Sequence, residues 1–169
     1  MKTSPFILIG AMLCATPLRA EPDFPAHGFK SSLALGDTWK VRQQFDETKL
    51  DMVMRAYADA EGIRSITLIL GRNNTDVKEL ASFTDRWKKG FQKPTVTFTD
   101  DKAGRLGGIP ARLITAEAVL ETGVRHILAL LAIYNGKVYT VILTSDRKPP
   151  AEDEVLSAFL RSIQIGAQE

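Results

Sequence analysis

The chain has 169 residues, 44% of them hydrophobic, with 22 lysines and arginines against 20 aspartates and glutamates. That is enough chain to bury one core, and too balanced a charge for a protein that grips nucleic acid through a strongly basic surface. One cysteine excludes an internal disulfide framework, and with only two histidines there is little from which to build a zinc or thiol site.

Residues 1–20 read as a secretory signal peptide. Lys2 gives a positive start, Phe6 to Ala15 is an uncharged apolar run, and Thr16-Pro17-Leu18-Arg19-Ala20 breaks the helix and ends on a small residue. The run is too short for a membrane anchor, which needs about 20 apolar residues. Leu13 argues against lipid attachment at Cys14. Leu18 is bulkier than the residue usual three places before a cut, and cleavage is expected after Ala20. Removing Lys2, Arg19 and Cys14 would leave a cysteine-free chain with 20 basic and 20 acidic residues. These features predict a protein secreted across the inner membrane into a bacterial periplasm.

Residues 21–38, with Pro22, Pro25, Gly28 and Gly36, read as an irregular lead-in. Beyond them the chain alternates strands and helices without a long linker or internal repeat, predicting a single domain over 39–166. Trp39 to Phe45 predicts a strand. Asp51 to Ala58 sets Met52, Met54 and Ala56 against Val53, Arg55 and Tyr57, the period of a strand with two different faces. Ile63 to Leu70 is β-branched and apolar, as in a central strand, and Gly71 to Asn74 is expected to end it.

A helix is expected to start at Thr75 or Asp76, with Val77, Leu80, Thr84, Trp87 and Phe91 at helical spacing and Phe83 beside them. Arg86, Lys88, Lys89 and Lys93 suit its negative end, and Gly90 with Pro94 closes it. Thr95 to Thr99 predicts a strand, Asp100 to Gly104 a turn, and Ile109 to Leu120 a further strand after Gly107-Gly108. Glu121-Thr122-Gly123 turns the chain into Val124 to Tyr134, apolar on both faces. Asn135-Gly136 is the strongest hairpin signal in the sequence, returning through Val138 to Thr144. Pro149-Pro150 opens a final helix with Glu152, Asp153 and Glu154 in its first turn. Val155, Leu156, Phe159, Leu160 and Ile163 are expected to form its buried stripe. The predicted class is α+β, a mostly antiparallel β-sheet covered by helices.

This order resembles the PsbP-like fold, an α/β/α sandwich shared by extrinsic photosystem II proteins, Ran-binding Mog factors and bacterial periplasmic DcrB proteins. Its carriers are Trp39-Lys40-Val41, Ser65-Ile66-Thr67-Leu68 leading into a helix, and Gly108-Ile109-Pro110-Ala111. Asn135-Gly136 into Val138-Tyr139-Thr140, and Ser162-Ile163 at the end of the last helix, complete the set. The likeness spans most of residues 29–166 and is nearest to the exported bacterial branch. It implies a protein that binds other proteins or stabilises assemblies, and it transfers no ligand-binding residue.

The chemistry in the residues points the same way. There is no Gly-x-Ser-x-Gly elbow. Pro110 stands where a phosphate-binding helix would begin, so Gly104 and Gly107-Gly108 read as a turn at the head of a strand. His126 reads as a sheet residue with a satisfied hydrogen bond, and Asp100-Asp101 as turn residues rather than a calcium site. No residue is assigned a catalytic, cofactor-binding or metal-binding role. The expectation is a non-catalytic, exported accessory or protein-binding module whose partner is another periplasmic or envelope protein. Arg86, Lys88, Lys89 and Lys93 are its candidate partner contacts, and they could also steer toward acidic partners or anionic lipid head groups. Alternatives are a periplasmic immunity protein that neutralises a toxin, a hydrolase built on scattered carboxylates, and a small-ligand or lipid carrier.

Overall fold

A computed structural model describes residues 23–31, 35–47, 51–72 and 79–166. The apolar alternation read above is laid out in seven strands: β2 (Lys40–Glu47), β3 (Met52–Ala58), β4 (Arg64–Arg72), β5 (Val96–Leu106), β6 (Ile109–Leu120), β7 (Gly123–Tyr134) and β8 (Lys137–Ser145). They form one antiparallel sheet in the order β2-β3-β4-β8-β7-β6-β5. A separate pair joins β1 (Phe29–Ser31) to β9 (Ile163–Ile165), with Phe29 opposite Ile165. The chain leaves the sheet twice. Helix α1 (Leu80–Phe91) links β4 to the far edge at β5, and α2 (Glu154–Ser162) links β8 to β9.

The two helices cover opposite faces, because β4, β7 and β8 are apolar on both. On the α2 side Leu68, Leu70, Leu130, Val141 and Leu143 meet Leu156 and Phe159 of the helix and Phe29 of β1. Leu156 and Phe159 are fully buried, each worth roughly 1.5–3 kcal/mol. On the α1 side Ile114, Ala116, Ile127, Ala129 and Leu131 meet Leu80, Phe83, Trp87 and Phe91. The architecture is therefore the predicted α+β sandwich.

Several expectations shift. Asp100 to Gly104 is not a turn: β5 runs through it to Leu106, and the reversal falls at Gly107 and Gly108. Gly71 and Arg72 continue β4 to its pairing with Val138 and Lys137. Thr75, Asp76 and Val77 lie outside the described residues, as do residues 1–22, and the described helix starts at Leu80. The final helix starts later than Pro149-Pro150, because Asp153 is its cap: the carboxylate accepts from the amides of Val155 and Leu156. Val155 points out at 38% exposure, and Ile163 belongs to β9. Within 21–38 the described residues hold β1 and a 3-10 turn, Pro25–His27.

That turn closes on Gly28, whose φ of +66° favours glycine, and the Gly28 carbonyl accepts from the Gly166 amide at 3.2 Å. A Cβ at this position would collide with the Gly166 carbonyl. Gly28→Ala is expected to cost about 1–3 kcal/mol, since the left-handed penalty adds to the collision. Urea denaturation would show it as a lower midpoint at unchanged slope.

Candidate functional site

Helix α1 packs on β6 and β7 and leaves the other half of its sheet face without a helix among the described residues. Register defines what that half presents. Phe45 on β2 lies opposite Met54 on β3, Met54 opposite Ile69 on β4, and Ile69 opposite Thr140 on β8. Phe45 is 44% exposed, and Met54 and Ile69 are half-buried, so the row is open at the edge strand and closes toward the sheet centre. Ala56 and Thr67 beside it are small, which keeps the surface flat. Aromatic and methionine side chains on an open flat face are the composition of a contact surface.

The basic residues singled out from sequence divide. Arg86, Lys89 and Lys93 are exposed on or just after α1, on the same side of the sheet as the apolar row. Lys88 is half-buried: its ammonium sits 2.7 Å from Asp101 and 5.7 Å from the centre of the Phe98 ring. Asp101 also accepts from Arg112 Nε at 2.9 Å, so one carboxylate ties α1 to β5 and β6. Burial pushes that carboxyl up, but Lys88 and Arg112 overcome it and hold it below its ordinary value. Lys88 is thus engaged within the fold, while the other three are available to a partner. Trp87 and Phe91 stack at 4.7 Å against the sheet, as core residues.

His126 Nδ1 lies 3.3 Å from Glu117 Oε1, beside a concavity of about 170 Å³ that also touches Thr99, Thr115 and Pro149. Arg125 and Asp146 form a bidentate pair at 2.6 and 2.7 Å, which holds the Asp146 carboxyl low. A larger cleft of about 320 Å³ lies where β2 ends and β3 begins, between Phe24, His27, Asp46, Asp51 and Val53. Sequence reading missed both this cleft and the apolar row. The row had a signal in Met52, Met54 and Ala56, which the sequence sets on one face of β3. The cleft had none, because it assembles from segments distant along the chain.

The solution structure of the cyanobacterial PsbP protein, CyanoP, from Synechocystis sp. PCC 6803 matches this chain with a TM-score of 0.60. The match covers 96% of this chain and 100% of that one at 15% identity. The fold is PsbP-like. LpqN of Mycobacterium tuberculosis, described as involved in cell envelope biogenesis, matches with a TM-score of 0.52. That match covers 88% of this chain and 90% of that one at 16% identity. No family model and no curated protein sequence matches. Among the described residues no helix is long and apolar enough to cross a membrane. Identities this low carry the PsbP-like fold and not the roles of residues, so function is argued from the site.

Proposed function

We propose that this PsbP-like chain is an exported envelope accessory module that acts by docking a partner protein on the open half of its sheet, without turnover. The observation that carries the reading is the row Phe45–Met54–Ile69, presented beside a helix that keeps Arg86, Lys89 and Lys93 exposed. An apolar centre gives affinity, and a charged rim sets partner choice and association rate. The matching partner has an apolar patch with acidic residues at its margin. The likeness to a protein described as involved in cell envelope biogenesis supports an envelope setting, and the reading of residues 1–20 as a signal peptide supports export.

The test is purification of the tagged chain from its native envelope, compared with the variant Arg86→Glu, Lys89→Glu, Lys93→Glu. One stoichiometric partner is expected with the native chain, its yield falling as salt rises. The charge-reversed chain should recover much less of it. Equal recovery by both chains, or recovery of nothing in stoichiometric amount, would contradict the proposal.

A further inference from the structure

The 3-10 turn at the N-terminal end is pinned to the sheet from three sides. Lys137 Nζ donates to the Ala26 carbonyl at 2.8 Å, the Tyr139 hydroxyl donates to the His27 carbonyl at 2.8 Å, and the Gly166 amide donates to Gly28. His27 is buried to 8% exposure as a result. Its Nδ1 is the one buried side-chain polar atom among the described residues without a hydrogen-bond partner. Buried polar groups are nearly always satisfied, so an orphan on the wall of a cleft asks for a partner from outside.

The cleft supplies the rest of a site. Its walls are Phe24, Pro25, Met52 and Val53, and its charges are Asp23, Asp46 and Asp51. Asp46 is already taken by Arg55, which grips it at 2.6 and 2.9 Å and lies over the Phe24 ring. The Asp51 carboxylate has no hydrogen bond or ion pair among the described residues. Burial does most to lower the imidazole below its ordinary value of 6.5; Asp51 opposes this, Lys137 adds to it and Asp46 opposes it. Burial therefore favours the uncharged ring, with one nitrogen able to accept. An unpaired carboxylate beside an accepting imidazole, on apolar walls, repels anions and suits a cation with an alkyl body.

We propose that this cleft binds an alkylammonium group, which donates to His27 and Asp51 while its chain lies along Phe24, Met52 and Val53. Binding requires the His27 ring to turn so that its buried free nitrogen faces the bound ammonium. The ligand is either a free polyamine or the lysine side chain of a protein, and the cleft stands independently of the docking row.

The experiment follows the His27 ring resonances by NMR in the purified chain during titration with n-butylammonium chloride, with n-butanol as the uncharged control. A saturable shift with the ammonium and none with the alcohol is expected. Asp51→Asn removes the charge at a φ of +47° that asparagine adopts readily, so the variant should fold. It should bind about ten- to a hundredfold more weakly. Proton and ammonium compete for the same nitrogen, so affinity should fall as His27 becomes charged. The groups facing His27 are Asp23, Asp46 and Asp51 on the cleft side, and Tyr134, Lys137 and Tyr139 on the other. A matching response to n-butanol, undiminished binding by the Asp51→Asn chain, or no saturable shift would each overturn the assignment. Tighter binding of spermidine than of N-acetyl-lysine methylamide assigns a free polyamine, and the reverse order assigns a lysine side chain.

Discussion

Phe45→Asp is expected to weaken partner binding by about 30-fold or more, the loss typical of removing a central aromatic anchor from an interface. The same change should leave folding almost untouched. Phe45 sits on the edge strand at 44% exposure, opposite Met54, and its removal opens no cavity in either core cluster. Surface substitutions of this kind shift stability by about 0.5 kcal/mol or less. The informative result is therefore the contrast: partner yield collapses while the urea midpoint holds. A fall in both would make Phe45 a structural residue and would remove the main support for the docking surface.

Asp153→Ala should produce the largest loss of stability, about 3–5 kcal/mol, because it removes both the cap of α2 and the buried partner of Arg64. The Asp153 side chain is fully buried. One oxygen caps α2 through the amides of Val155 and Leu156, and the other accepts from Arg64 Nε at 2.8 Å. Arg64 also reaches Asp59 at 3.4 Å, so this single carboxylate joins the helix to β4 and to the β3–β4 turn.

Burial pushes the Asp153 carboxyl up, but Arg64 and the two amides overcome it, and the group sits below its ordinary value of 3.8. A depressed carboxyl gives stability that is complete above the unfolded value and lost as pH falls through the folded one. Acid unfolding of the native chain should therefore steepen below the unfolded value, and the Asp153→Ala chain should lack that component. Denaturant midpoints measured across the acid range would show it. An unchanged acid profile in the variant would mean that another carboxylate carries the effect.

What the sequence made legible follows from locality. Asn135-Gly136 announces its hairpin because both residues take positive φ, +48° and +71°, in the turn that joins β7 to β8. The run 124–134 reads as apolar on both faces because both are covered, and Ile127 to Ala132 are all buried; Ile63 to Leu70 reads as a central strand and lies inside the sheet as β4. The helix-spaced Trp87 and Phe91 were legible as core for the same reason.

The misreadings come from residues whose partners are distant. Asp100, Asp101 and Gly104 have the composition of a turn, yet they lie on an edge strand, where charge discourages pairing with other chains. Asp101 is held there by Lys88 and Arg112, which no local pattern reveals. Likewise β1 and β9 are three residues each and pair across almost the whole described chain, too short to show a period. Lys88 looked equivalent to its basic neighbours until the structure placed Asp101 beside it. The docking row was half visible: alternation puts Met52, Met54 and Ala56 on one face of β3, but only the placement of α1 decides which stretch stays open.

The central claim, that the open half of the sheet is where a partner docks, is tested most directly by site-specific photo-cross-linking in the native envelope. A photoreactive residue would be placed in turn at Phe45, Met54 and Val155. Val155 is the control, because it is exposed on α2 across the sheet. The docking account predicts one cross-linked protein of the same mass from positions 45 and 54 and none from 155. The same product from 155, or no product from 45 and 54, would contradict it.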